Sequence, residues 1–300
     1  MAGEENGRPG RHAGTMPRRI LTGIGVALLI AAPAALALFD GAEVRTSADA
    51  EAPAKPLAGI VAATLVGLLL VRLVPLRLPA MPAAGAAERP ALGRQATGLV
   101  GIALLLPAVV LAVDPGIWYA PIKLLLFFGG AALVLRCWPT QWRGGREHRR
   151  ALPSRWYWLG PLPALVGWAY LLYYSPLAGS QDMSGYRQYD RVYLLAATLL
   201  TFVTASLAEE IFYRALLQTR LEALYGRWPA IVATSLLFAL MHVHRIGDGP
   251  LWEMVAVMLA WNGGFGLLAG YLWARHRNIW AIFALHTAVN SLSLLPLLLG

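Results

Sequence analysis

The sequence predicts an all-α fold, a polytopic transmembrane helical bundle of roughly nine spans (eight to nine). Three observations carry that prediction. Hydrophobic residues make up 58% of the 300 residues and charged ones 14%, a balance that water-soluble domains of ordinary composition do not reach. Apolar runs of about 20 residues, the length that crosses a bilayer, recur along the chain. The charges lie mostly between these runs and are sorted by sign.

The runs fall at 20–39, 56–74, 96–113, 118–138, 156–175, 191–217, 228–243, 251–273 and 278–299. Arg18 and Arg19 before the first run resemble the start of a signal peptide. The run is span-length and has no convincing small-residue cleavage site, so it reads as an uncleaved first helix. Further arginines occupy alternate connections: Arg72, Arg77, Arg89 and Arg94; Arg136, Arg143, Arg146, Arg149, Arg150 and Arg155; Arg220 and Arg227; Arg275 and Arg277. The other connections carry Asp40, Glu43, Asp49, Glu51, Asp114, Asp182, Asp190 and Asp248. This is the positive-inside pattern, and it places the N-terminus in the cytoplasm.

A formal net charge of +9 would otherwise suggest a nucleic-acid partner. The alternation assigns the charge to topology instead, so the expected partner is the lipid bilayer and not nucleic acid. The 143–155 cluster is also placed to touch anionic headgroups. Cys137 is the only cysteine, which excludes an internal disulfide and a Cys-rich metal site.

Character shifts near Arg155. Residues 1–17, rich in Gly, Arg and Glu, read as a disordered cytoplasmic N-terminus. Residues 18–155 read as an accessory transmembrane bundle of Ala, Leu and Val with almost nothing ionisable inside its spans. Residues 156–300 read as the functional core, because their spans hold Glu209, Glu210, Arg214, His242, His286 and Asn290.

An ionisable side chain at mid-bilayer costs several kcal/mol and is by default functional or paired. Glu209 and Glu210 project about 100° apart on a helix. Glu210 and Arg214 stand at i,i+4 and neutralise each other. Glu209 is thereby left without a local partner, the setting of a general base; the alternative is a structural charge network with arginines of other helices. His242 ends the apolar stretch Phe238-Ala239-Leu240-Met241, whereas His244, beside Arg245 and Asp248, reads as structural. His286 and Asn290 are at i,i+4 on one face, a pairing that also serves helix–helix contact.

Depth links the three segments. At 1.5 Å per residue from the arginine-bearing helix ends, Glu209 lies ~17 Å in, His242 ~21 Å, His286 ~14 Å and Asn290 ~20 Å. A carboxylate, two imidazoles and a carboxamide in one slab supply a base for water and donors for an oxyanion.

The set Glu209-Glu210-x-x-x-Arg214, Phe238-x-x-x-His242 and His286-x-x-x-Asn290 resembles the CPBP family, the CAAX-processing type II and bacteriocin-processing membrane proteases, over roughly 193–295. Phe265-Gly266-x-x-x-Gly270 resembles that family's penultimate helix. The resemblance implies an intramembrane endopeptidase, in which Glu209 with His242 activates water and His286 and Asn290 stabilise the oxyanion. Glu210, Arg214 and Phe238 would shape the site. The substrate implied is a membrane-associated or exported protein or peptide with a hydrophobic segment. Some members have an asparagine four residues past the second-motif histidine; here that position is Ile246.

Members have also been described as metalloproteases, with Glu209, His242 and His286 the ligands if zinc is used. No H-E-x-x-H is present, and a site without cofactor is the expectation. Other readings are a non-catalytic membrane scaffold or bacteriocin-immunity protein and a proton-coupled transporter. The Ala, Gly and Arg bias suggests a bacterial protein of the inner membrane.

Overall fold

The computed structural model describes residues 15–39, 43–47, 51–245 and 250–299. Apart from one two-residue strand pair, the regular structure there is helical. Six helices are long and apolar enough to cross a membrane: α1 (Thr15–Phe39), α3 (Arg89–Val113), α4 (Gly116–Cys137), α8 (Arg191–Tyr225), α10 (Leu251–His276) and α11 (Ile279–Leu299). Two shorter apolar helices, α2 (Leu57–Leu73) and α9 (Arg227–Val243), stand among them. The expected disorder of 1–17 and the acidic residues Asp40, Asp49 and Asp248 fall wholly or mainly outside the described residues. So do the side chain of His244 and the departure at Ile246.

Local chemistry sets most boundaries. Asp190 caps α8 by accepting from the backbone N–H of Tyr193, and Asn278 caps α11 through Ala281, satisfying amide donors that a helix start leaves open. Gly226, at φ +89°, turns α8 directly into α9. The run expected at 156–175 is broken, because Gly160 and Pro161 interrupt it. A one-turn helix at Ser154–Trp158 precedes α7 (Leu162–Tyr173), while the arginine-rich connection forms α5 (Gly144–Ala151), with the one-turn helix as α6.

Packing follows small residues. α2 lies along α7, and α9 along α10. A side chain at Gly59 of α2 would strike the backbone carbonyl of Leu177, and one at Gly266 of α10 would stand 2.9 Å from the Ser235 Cα on α9. Gly270 brings its carbonyl to Gln218 Nε2 at 2.7 Å. The Gly266-x-x-x-Gly270 spacing therefore sets the seam of α10 against α8 and α9.

At one end the helix termini are tied together by arginines. Arg18 sits over the Tyr225 ring, Arg89 donates to the Leu224 carbonyl, and Arg275 donates to the Pro75 carbonyl. Arg277 pairs with Glu222 at 2.6 Å and donates to His148 Nδ1 at 3.1 Å. Arg277 is only 3% exposed. Beyond the topological role expected of such arginines, Arg275 and Arg277 are buried and bind α10 to the connections around it. At the other end, strands β1 (Glu43–Val44) and β2 (Lys55–Pro56) pair antiparallel, and Lys55 and Ser293 both contact Gln181.

Candidate active site

α8 is interrupted at the place where its acids lie. π-helical turns at Phe202–Leu207 and Ile211–Gln218 flank the α-helical turn Ala208–Glu210. Such widened turns are frequent at functional sites. Glu209 is 2% exposed, Glu210 and Arg214 are fully buried, and the Glu210–Arg214 ion pair closes at 3.0 Å. Arg214 also lies over the Phe238 ring at 5.1 Å, a favourable seat for a buried cation.

Phe238 is the hub of the site. Its ring centroid lies 4.9 Å from that of His242, 6.0 Å from His286 and 5.7 Å from Phe265. The His242 Nδ1 is 2.8 Å from the Phe238 carbonyl. A carbonyl only accepts, so that nitrogen carries the proton and Nε2 is the basic one in the neutral ring. His286 Nδ1 meets Glu210 Oε1 at 2.7 Å, and its other nitrogen stands 3.9 Å from Glu209 Oε2. His286 thus lies between the two acids, held by Glu210.

Glu209, Phe238, His242, His286 and Asn290 all line one cavity of about 280 Å³. Glu209 Oε2 and Asn290 Nδ2 are buried there without a hydrogen-bond partner, an acceptor and a donor whose desolvation is not offset by the protein. Sequence reasoning placed these residues at one depth; the fold brings them to one cavity.

Glu209 is not solitary, which corrects the expectation drawn from its neighbours in the chain. Lys123 of α4 forms an ion pair with Glu209 Oε1 at 2.9 Å. Its ammonium also lies 5.0 Å from the Tyr119 ring centre. Phe127, one turn on, stacks on Phe212 of α8 with centroids 4.2 Å apart, and that stack fixes α4 beside the acid. The first four spans were read as nearly free of ionisable groups. A lysine inside the 118–138 run was the signal against that reading. With Lys123 counted, the two buried carboxylates are each paired with a basic side chain, Glu209 with Lys123 and Glu210 with Arg214.

Among the described residues, no three of His, Cys, Asp and Glu gather as a metal site. The position that a cation would take on Glu209 Oε1 is held by the Lys123 ammonium. As arranged, Glu209, His242 and His286 do not gather as a zinc site.

Residues 191–292 match the family model described as type II CAAX prenyl endopeptidase Rce1-like. The match of this segment is to the CPBP/CAAX protease family. The match begins with α8 and runs through α9 and α10 into α11, so the CAAX protease segment contains both acids, both imidazoles and Asn290, whereas Lys123 lies outside it. No curated protein and no solved structure matches the chain.

Proposed function

We propose that the chain is an intramembrane endopeptidase that hydrolyses a peptide bond with water activated by Glu209. The observation that supports this reading best is that Glu209 Oε2 and Asn290 Nδ2, buried polar atoms without a hydrogen-bond partner, belong to side chains that line one cavity together with two imidazoles. Glu209 Oε2, assisted by the basic Nε2 of His242, accepts the proton of an attacking water, and that proton passes to the departing amine as the C–N bond breaks. Asn290 Nδ2 donates to the oxyanion that forms on the scissile carbonyl. His286, oriented by Glu210, adds a second donor when it carries both protons. Lys123 is a positioning residue: it holds one oxygen of Glu209 and turns the other to the cavity.

The bundle crosses the membrane nine times in this reading, with α7 as the crossing shorter than the rest, and the N-terminus lies in the cytoplasm of a bacterial inner membrane. Residues 18–155 form a supporting bundle that lends Lys123 to the 156–300 core. The substrate has a hydrophobic segment and is membrane-associated or exported.

The test is reconstitution of the purified protein with a library of quenched fluorescent peptides carrying an apolar segment. Glu209→Gln and His242→Ala should each abolish cleavage when activity is expressed per molecule of inserted, folded protein; undiminished cleavage in either ends the assignment. Cleavage that persists through chelation supports a glutamate mechanism. Loss restored only by zinc would make the enzyme a metalloprotease instead. Full cellular function of Glu209→Gln would favour the scaffold or immunity reading.

A further inference from the structure

The cavity lies nearer one end of the bundle than the other. Besides the groups on α8, α9 and α11, it is lined by Thr46, Ser47, Ala52, Pro53 and Lys55 from the connection before α2. Met183 and Tyr186 from the connection before α8 complete that end. The cavity thus runs from the mid-span acids to the surface formed by two connections that touch each other, Lys55 reaching Gln181 and Glu51 lying against Gly185.

The two ends differ in charge. The described connections at the cavity end, with the short one before α4, carry Glu43, Glu51, Asp114, Asp182 and Asp190 against Arg45, Lys55 and Arg187. The opposite end gathers Arg143, Arg146, Arg149, Arg150 and Arg155 in a single connection. That end also holds the arginine ties of α1, α2, α3, α8 and α10 described above, so its arginines form one face in space. Lys and Arg are retained on the cytoplasmic side of short membrane loops. The mouth and the arginine face are at opposite ends of the same helices: α8 begins at Arg191 beside the mouth and ends at Tyr225 under Arg18.

We infer that the active-site cavity opens to the extracytoplasmic face, so that the substrate is an exported or outward-facing polypeptide entering between the 51–56 and 174–190 connections. The inference rests on the proteolytic reading for the word substrate, but the sidedness itself does not. Lys55, buried 4.6 Å from the Tyr173 ring centre and bound to Gln181, lines the cavity at this end.

The experiment is thiol labelling with a membrane-impermeant maleimide in intact spheroplasts and in inverted membrane vesicles. Cys137, exposed at the arginine-rich end, is the built-in reference for the inner face. Ala52→Cys and Ser184→Cys, each made with Cys137→Ser, report the mouth at two independent connections. The expected result is labelling of both mouth cysteines in spheroplasts but not in inverted vesicles, and the reverse for Cys137. Mouth labelling confined to inverted vesicles, or labelling of Cys137 and the mouth from one side, overturns the inference. Because labelling does not depend on turnover, the peptide assay with Glu209→Gln fails or succeeds separately, and the two proposals are told apart.

Discussion

Replacing Lys123 by Met isolates the contribution of α4 to the site. The ammonium is 2.9 Å from Glu209 Oε1, with the two side chains 5% and 3% exposed. At an effective dielectric near 20, unit charges at that distance attract by roughly 6 kcal/mol. Several kcal/mol of desolvation oppose this, yet removing one partner strands the other and typically costs about 3–5 kcal/mol in buried pairs. The pair borders a cavity, so the lower figure, about 3 kcal/mol, is expected for Lys123→Met and again for Glu209→Gln. The double variant should be little worse than either single one, giving a coupling of about 2–3 kcal/mol. Reversible unfolding in mixed detergent micelles measures all four corners of the cycle. Losses that simply add, with coupling below about 0.5 kcal/mol, would refute the claim that the ion pair stabilises the acid.

Asn290→Ala should lower kcat about 10²- to 10³-fold with KM and abundance nearly unchanged, since its unpartnered amide is assigned to the oxyanion; a kcat within a factor of three would remove it from the site. Gly59→Ala, which forces a methyl against the Leu177 carbonyl, should cost about 1–3 kcal/mol. Gly101→Ala, where nothing lies within 4 Å, should be neutral or mildly stabilising in the same micelle assay. His148 is held down to about 4, first by burial and then by the charge of Arg277. The unfolded chain therefore binds the extra proton first, and stability should decline as pH falls from about 6.5 towards 4; the His148→Gln variant should lose that slope, and an unchanged slope would count against it. Burial lowers Lys55 to about 8, so reductive methylation followed by mass spectrometry should reach half its maximum at that residue near pH 8, and a midpoint near 10.5, the ordinary lysine value, would contradict the buried setting.

Much of the site was legible in one dimension because helical rise is uniform. Counting residues from the helix ends placed Glu209, His242, His286 and Asn290 in one slab, and the i,i+4 spacing gave the Glu210–Arg214 pair. Partners from distant helices were not legible in the same way. Lys123 and Glu209 are 86 residues apart, and nothing periodic links them. The held orientation of His286 comes from Glu210, the acid expected to be satisfied by Arg214 alone. The spans themselves were visible as apolar runs, but the break at Gly160-Pro161 and the widened turns of α8 depend on packing. Arginines at the helix ends were visible as a pattern, yet that pattern could not reveal that Arg277 would be enclosed by Glu222 and His148.

The stacked rings of Phe127 and Phe212 give the family boundary a practical meaning. A fragment trimmed to residues 191–292 would keep the segment that matches the family model while discarding the aromatic surface that aligns α8 and the ammonium that steadies its acid. Expressed alone, such a fragment would leave Glu209 without its Lys123 partner, so the smallest unit fit for enzymology begins well upstream of the recognisable motif.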